Sequence, residues 1–253
     1  MRILEGEGVT KYFGGLAAVS NVDFKVEQGE IRAIIGPNGS GKTTTFNIIS
    51  ALYTPTSGEV YFEGKPVVGL PMNKIVHMGI KRTFQQISLF KGISVLKSVM
   101  IGAHPQFGAN LVEVLLNTRN FKLMENEIKE KAYEALGFVG LVDKADHIAT
   151  SLSYGQQRLV EIARALVSSP KLILLDEPVA GMNQQEITAT ANIIRSLRDL
   201  GLTIIVVEHN MGFIMGLSEI ITVLASGCKI AEDVPDKIRK NQQVIDCYLK
   251  GGK

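Results

Sequence analysis

Several things are scarce in this chain, and each scarcity excludes a class. Among 253 residues there are two cysteines, Cys228 and Cys247. Their spacing matches no zinc or redox motif, and two thiols without a framework fit a reducing compartment. The four histidines (His77, His104, His147 and His209) show no metal-ligand spacing. A membrane-spanning helix needs about 20 apolar residues in a row, and no such run exists. The uncharged stretch from Ser98 to Val112 is interrupted by His104, Pro105, Gln106 and Asn110. The opening MRILEGEGV has no apolar h-region, so no signal peptide is expected. The net charge is only +2, with both signs interspersed, which argues against a large nucleic-acid footprint. Internal repeats and low-complexity segments are also missing. What remains is 45% hydrophobic and 21% charged, enough for one large domain or two small ones.

The pattern along the chain is that of an α/β protein. Residues 1 to about 35 read as strands: Val22, Phe24 and Val26 alternate with polar neighbours, and Gly29 marks a turn. Ile31 to Ile35 is a short apolar strand, and Gly41 to Leu52 reads as a helix. Gly58 to Lys65 suggests a hairpin turning on glycine. From about Ile93 to Val167 the period is helical, with Ile128, Ala132, Ala135 and Leu136 on one face. Alternation then returns: LILLD as strand, Gln184 to Leu200 as helix, TIIVV and IITVL as strands. Strands alternating with helices imply a parallel sheet covered on both faces, here interrupted by a helical insertion at about 87–168.

The segment Gly36-Pro37-Asn38-Gly39-Ser40-Gly41-Lys42-Thr43 fits G-x-x-x-x-G-K-[ST] in full, between a predicted strand and a predicted helix. Glycines let the backbone curl so that successive N–H groups point at phosphate oxygens. Lys42 can reach β- and γ-phosphates, and the Thr43 hydroxyl can ligate Mg²⁺, a hard cation that takes oxygen donors. Thr44 continues the phosphate-binding set into the helix. The other half of such a site is acidic. Leu172 to Leu175 make a buried strand, and Asp176 and Glu177 follow at its C-terminal end, which faces the ligand crevice. Asp176 is placed for the Mg²⁺ shell and Glu177 for polarising an attacking water. A third segment, Leu152-Ser153-Tyr154-Gly155-Gln156-Gln157-Arg158, looks like half a phosphate cradle. It has small residues before a helical run but no lysine. The alternative reading of the segment is a serine-capped helix after a turn.

Together these motifs resemble the ATPase subunit of an ATP-binding cassette (ABC) transporter, over nearly the whole chain and in the family's order. GPNGSGKT resembles the Walker A loop, LILLDE the Walker B strand, and LSYGQQ the LSGGQ signature. By that resemblance Gln85 in RTFQQ is the Q-loop glutamine joining the Mg²⁺ site to the helical subdomain. His209 in VVEHN is the switch histidine that meets the γ-phosphate. Phe13 in KYFGG stacks on adenine, although Tyr12 is adjacent and either ring could belong to the core. In isolation Gln85 would be a polar strand end and His209 a structural residue.

The resemblance implies one ABC ATPase domain over 1–253: a P-loop NTPase core with a mostly parallel sheet and an N-terminal antiparallel β subdomain (1–86 and 169–253), and a helical subdomain (87–168). It implies two cassettes facing head to tail, where Ser153, Gly155 and Gln156 of one close on the γ-phosphate held by Lys42 of the other. ATP and Mg²⁺ are the implied cofactors. Implied partners are integral membrane permease subunits, a second ABC ATPase as homo- or heterodimer, and an extracytoplasmic substrate-binding protein. The implied location is peripheral, at the cytoplasmic face of the cell membrane. Gln86 to Ala103 falls where the family receives the permease, with Leu89 and Phe90 as candidate contacts.

Two spellings depart from the common pattern. Tyr154 stands for the first signature glycine, and Ala180-Gly181-Met182-Asn183 for a serine-alanine-leucine-aspartate D-loop. Both resemble the branched-chain amino acid importer subgroup, as do RTFQ followed by LF and the C-terminal PDKIRKNQQVIDCYL. In IAEDVP relatives usually carry a nearby glycine. An ATPase of lipid or lipopolysaccharide export and a non-transport ABC ATPase are the alternatives.

Overall fold

A computed structural model describes residues 1–83, 85–103 and 118–250. His104, Phe84 of RTFQ and the end of the uncharged stretch lie outside the described residues. The strands form two sheets. The first is antiparallel, in the order β2-β1-β4-β5, from β1 (Arg2–Phe13), β2 (Leu16–Glu27), β4 (Ser57–Phe62) and β5 (Lys65–Pro66). The alternation in β2 works as its period demands: Val22, Phe24 and Val26 are buried while Asp23 and Lys25 face solvent. The β4–β5 hairpin turns through Glu63 and Gly64, both at positive φ, the conformation that matches strand twist.

The second sheet runs β10-β9-β3-β8-β7-β6, from β3 (Ile31–Ile35), β6 (Ile80–Arg82), β7 (Leu172–Asp176), β8 (Thr203–Val207), β9 (Ile220–Ala225) and β10 (Cys228–Asp233). Only β10 is antiparallel to its neighbour. Every residue of β3, β7 and β8 is buried, which explains their continuous apolar runs. Arg32 is the polar exception inside β3. Its guanidinium donates to Glu30 (2.9 Å), Thr222 (3.1 Å) and Glu232 (2.8 Å), joining edge strand β10 to β3 across β9. The IAED stretch is therefore a strand whose glutamate is tied down.

Helix α1 (Lys42–Ile49) is shorter than the expected Gly41–Leu52. Ala51 takes a left-handed φ of 56°, and the N–H groups of Leu52 and Tyr53 both return to the Asn47 carbonyl, which closes the helix. Helix α2 (Met72–Met78) was not expected; it stops at Gly79, in the left-handed region. The helical portion contains α3 (Val95–Met100), α4 (Arg119–Phe138) and α5 (Tyr154–Leu166). On α4, Ile128, Ala132, Ala135 and Leu136 form the buried stripe that the helical period predicts. The remaining described helices are α6 (Gln184–Asp199), α7 (Met211–Leu217), α8 (Pro235–Lys240) and α9 (Gln242–Lys250). Two apolar cores result. One lies between the sheets around α1, with Phe46, Phe62 and Leu4 at its centre; the other joins the parallel sheet to the helical portion through Leu136, Val160 and Ile162. Among the described residues no helix is long and apolar enough to cross a membrane.

Candidate active site

The loop Gly36–Thr43 leaves the C-terminal end of β3 and enters α1. Its conformation depends on glycine at two close approaches. A Cβ on Gly36 would lie 2.0 Å from the Leu224 carbonyl oxygen, and one on Gly41 would lie 2.5 Å from that of Ala18. Both residues also have positive φ. Lys42 folds back along the loop, its Nζ donating to the carbonyls of Gly36 (2.7 Å) and Pro37 (2.8 Å). Burial holds its pKa below the usual lysine value, against the pull of Glu177 and Asp176 nearby. Ser40 Oγ is buried with no hydrogen-bond partner, an orphan polar atom inside the curl. Asn38, Gly39 and Thr43 are exposed at the mouth, with Thr44 half-buried behind them. Tyr248 on α9 reaches this loop. Burial pushes its phenol up to about 12, and a hydrogen bond from the Gly36 backbone opposes that shift.

The acidic pair arrives from β7. Asp176 is buried, and its Oδ2 accepts from Arg82 Nη2 at 2.8 Å. Arg82 also donates to Asn47 (2.5 Å) in the last turn of α1 and to its C-cap Ser50 (3.1 Å), so β6, β7 and α1 are locked together. Glu177 sits at φ 50°, its N–H bonded to the Val207 carbonyl at 2.9 Å. This kink turns its carboxylate toward His209, whose Nε2 lies 3.2 Å from Glu177 Oε1. Glu208 holds the histidine in place. It is 5% exposed, and it accepts backbone N–H bonds from Val179 (3.2 Å), His209 (2.6 Å) and Asn210 (3.0 Å). Sequence reasoning missed Arg82 and Glu208. Neither carried a usable signal: Arg82 ends the charged strand Ile80–Arg82, and Glu208 follows β8 as any surface charge would.

Phe13 ends β1 with its ring 45% exposed, edge-on to Tyr53 at 5.3 Å. Lys11 Nζ lies over both rings. Ser153 is the N-cap of α5, forming a capping box with Gln156. Among the described residues, none of the hydrogen bonds or ion pairs of Ser153, Gly155 and Gln156 reaches the Gly36–Thr43 loop. The signature helix instead contacts other loops of its own chain. Arg158, buried, donates to the Gln85 carbonyl and to Tyr154 Oη. Glu161 Oε1 accepts from the Ser88 N–H at 2.9 Å, and Arg164 donates to the Ser88 carbonyl at 2.8 Å. Burial raises the Glu161 pKa, against the Ser88 N–H and both arginines. Gln85 itself is exposed. Asn183 caps α6, its Oδ1 accepting from Gln185 and Glu186, so the neutral D-loop residue has a local task. Leu89 is packed partly into the core, whereas Phe90 is 58% exposed. His77 and His147 are exposed, and no group of three His, Cys, Asp or Glu residues suited to a metal occurs among the described residues.

Lys42, Asp176, Glu177 and His209 thus meet at one end of the parallel sheet, where a strand–loop–helix curl opens. The ABC transporter family profile matches residues 19–180, which span this curl, the Q-loop, the signature and the Walker B strand. The chain belongs to the ABC transporter family. Curated ABC relatives include the high-affinity branched-chain amino acid transport ATP-binding protein BraF of Pseudomonas aeruginosa. It is 40% identical, over 98% of this chain and 97% of the relative. LivG of Escherichia coli K12, a protein of the same description, is 39% identical over the same shares. Among solved ABC structures, a nucleotide-free ATP-binding cassette superposes with a TM-score of 0.87 at 34% identity, covering 98% of this chain and 99% of the other. The ADP conformation of the cassette MJ1267 gives 0.86 at 32% identity, covering both chains fully at 100%. The fold is that of an ABC ATPase.

Proposed function

We propose that this chain is the ATP-hydrolysing subunit of an ABC importer for branched-chain or hydrophobic amino acids. The observation that carries the catalytic part is the convergence of Lys42, Asp176, Glu177 and His209 while Ser153 stands apart, its bonds among the described residues lying within its own cap and first helical turn. BraF and LivG, whose names assign them to branched-chain amino acid transport, support the substrate class. In this reading residues 1–86 and 169–253 form the nucleotide core and 87–168 the helical subdomain.

The residues suit ATP with Mg²⁺. The curl would be blocked by a Cβ at Gly36, it buries an unpartnered Ser40 hydroxyl, and it offers Thr43 and Asp176 as oxygen donors. Bound Mg²⁺ would neutralise charge on the β- and γ-phosphoryl oxygens. Lys42 exchanges its loop carbonyls for phosphate oxygens. Gln85, at the junction of the core with the helical subdomain, would complete the metal side. Arg82 keeps Asp176 from swinging. Glu177 accepts the proton of the attacking water at its carboxylate; His209, whose Nε2 lies 3.2 Å from that carboxylate, exchanges this contact for the γ-phosphate when ATP is bound. Phe13 gives the adenine a face to stack on. Ser153, Gly155 and Gln156 of a facing cassette, homologous or identical, supply the donors that this chain's own loop lacks. Loss of the γ-phosphoryl group removes contacts made only in the closed pair, so hydrolysis reopens it. Exposed Phe90 faces a permease subunit at the cytoplasmic side of the membrane, and an extracytoplasmic binding protein delivers the substrate.

Glu177→Gln should keep ATP binding, lower hydrolysis at least ~100-fold and accumulate an ATP-bound dimer on size exclusion. Ser153→Arg should leave the monomer's nucleotide affinity intact and block the dimer. Collapse of monomer affinity in Ser153→Arg would place the signature in cis and sink the composite site. The substrate class is tested in proteoliposomes with the permease and binding protein. ATP-dependent leucine uptake is the expected result, and uptake of none of the branched-chain amino acids would reject it.

A further inference from the structure

The two spellings that depart from the common ABC pattern touch each other. Gly181 of the D-loop lies under the Tyr154 ring: a Cβ built on Gly181 would sit 3.1 Å from both Cδ1 and Cε1 of that ring. The other contacts of Tyr154 are specific. Its hydroxyl accepts from Arg158 Nη2 at 3.1 Å, and the same guanidinium lies 5.4 Å from its ring centroid. The same nitrogen of Arg158 also donates to the Gln85 carbonyl. Close by, a Cβ on Gly155 would lie 3.0 Å from the carboxylate of Glu186, the residue that completes the cap of α6. A glycine at 154 would leave the space over Gly181 empty and Arg158 without the hydroxyl. A side chain at 181 would push the ring off its seat.

We infer that Tyr154 is a positioning residue that braces the signature helix against the D-loop and Q-loop of its own cassette, with Gly181 as its seat. The brace sets where Ser153 stands relative to Gln85 and the Ala180–Asn183 loop, so the half-site offered to a facing cassette moves with the loops that report on this chain's own nucleotide. In this respect the inference rests on the composite-site reading. It also gives Gly181 a reason beyond its φ of +74°, since a Cβ there would press on the ring at 3.1 Å and force it to shift.

A double-mutant cycle on the full chain tests it: Tyr154→Gly, Gly181→Ala and the double variant, with kcat and KM for ATP and the melting temperature of each. Each single change should lower kcat roughly fivefold or more and leave KM within about twofold, because neither touches the Gly36–Thr43 loop. The backbone strain of alanine at positive φ is present in both backgrounds and cancels in the cycle. Once the ring is gone Gly181→Ala should cost little further, giving a coupling of at least about fivefold. Tyr154→Phe keeps the ring and the fold, so Gly181→Ala should remain as costly there as in wild type. Costs that simply multiply, or a Gly181→Ala cost that is equally relieved by Phe, would overturn the brace. Dimer trapping in Glu177→Gln reads the composite site separately. A trapped dimer with no coupling rejects only the brace, and coupling without any dimer rejects only the shared site.

Discussion

Glu208 is the most informative residue to perturb, because a carboxylate that never meets substrate holds one that does. Its Oε2 accepts from the His209 and Asn210 N–H groups, and its Oε1 from Val179. In Glu208→Gln the amide oxygen can keep the first two bonds, but the NH₂ group then faces the Val179 N–H, donor against donor. One charge-assisted bond is lost, worth about 1.5–3 kcal/mol, and the other two lose their charge assistance. At 5% exposure water offers little relief. The total is roughly 2–4 kcal/mol. For a chain of this size each kcal/mol moves the midpoint by about 2–4 °C, so thermal denaturation without nucleotide should show a fall of roughly 5–12 °C. His209 should drift from its 3.2 Å approach to Glu177. Steady-state hydrolysis should then drop at least ~10-fold, with ATP affinity retained because the curl is untouched. A Glu208→Gln protein that melts within about 2 °C of wild type and hydrolyses ATP normally would refute this account of how the histidine is held.

Two further outcomes are expected. Gly36→Ala must displace the Leu224 carbonyl, 2.0 Å from the new methyl, so nucleotide affinity should fall by about 100-fold or more in a fluorescent-nucleotide titration; unchanged binding would mean that the loop is not the cradle. Phe13→Ala should weaken ATP binding by the worth of one base–aromatic stack, about 1–3 kcal/mol, while kcat at saturating ATP is unchanged and Phe13→Tyr behaves as wild type; equal affinity for all three would move the adenine elsewhere.

Much of the architecture was legible because its signals are local. β3, β7 and β8 carry apolar runs and are buried throughout, a pattern that a sheet covered on both faces requires, and the stripe on α4 follows from the helical period. Segments whose identity depends on distant partners were not legible. β10 carries charge at Glu232 and Asp233; it is a strand through its pairing with β9, and Arg32, 200 positions away in sequence, holds Glu232. The end of α1 was overestimated because its apolar residues continue past Ser50, while the chain is stopped by backbone bonds that leave no mark in composition. At the site, the curl and the acids were readable as motifs. Arg82, Arg158, Glu161 and Glu208 were not, since a buried charge reads in sequence like any surface charge until its partners are known.

By itself the sequence determined the nucleotide chemistry. The spacing in Gly36–Thr43 and the acids after Leu172–Leu175 are set within single strand–loop–helix turns, whose geometry is the same wherever they occur. Only the tertiary structure decided how these parts are held: Glu177 turned onto His209 by its own positive φ, Glu208 pinning the histidine, and Tyr154 seated on Gly181. The first and last of those contacts join segments far apart in the chain, and Glu208 ties the histidine's own turn to Val179. Their strength comes from burial and a missing Cβ, and neither is a property of any one stretch of sequence.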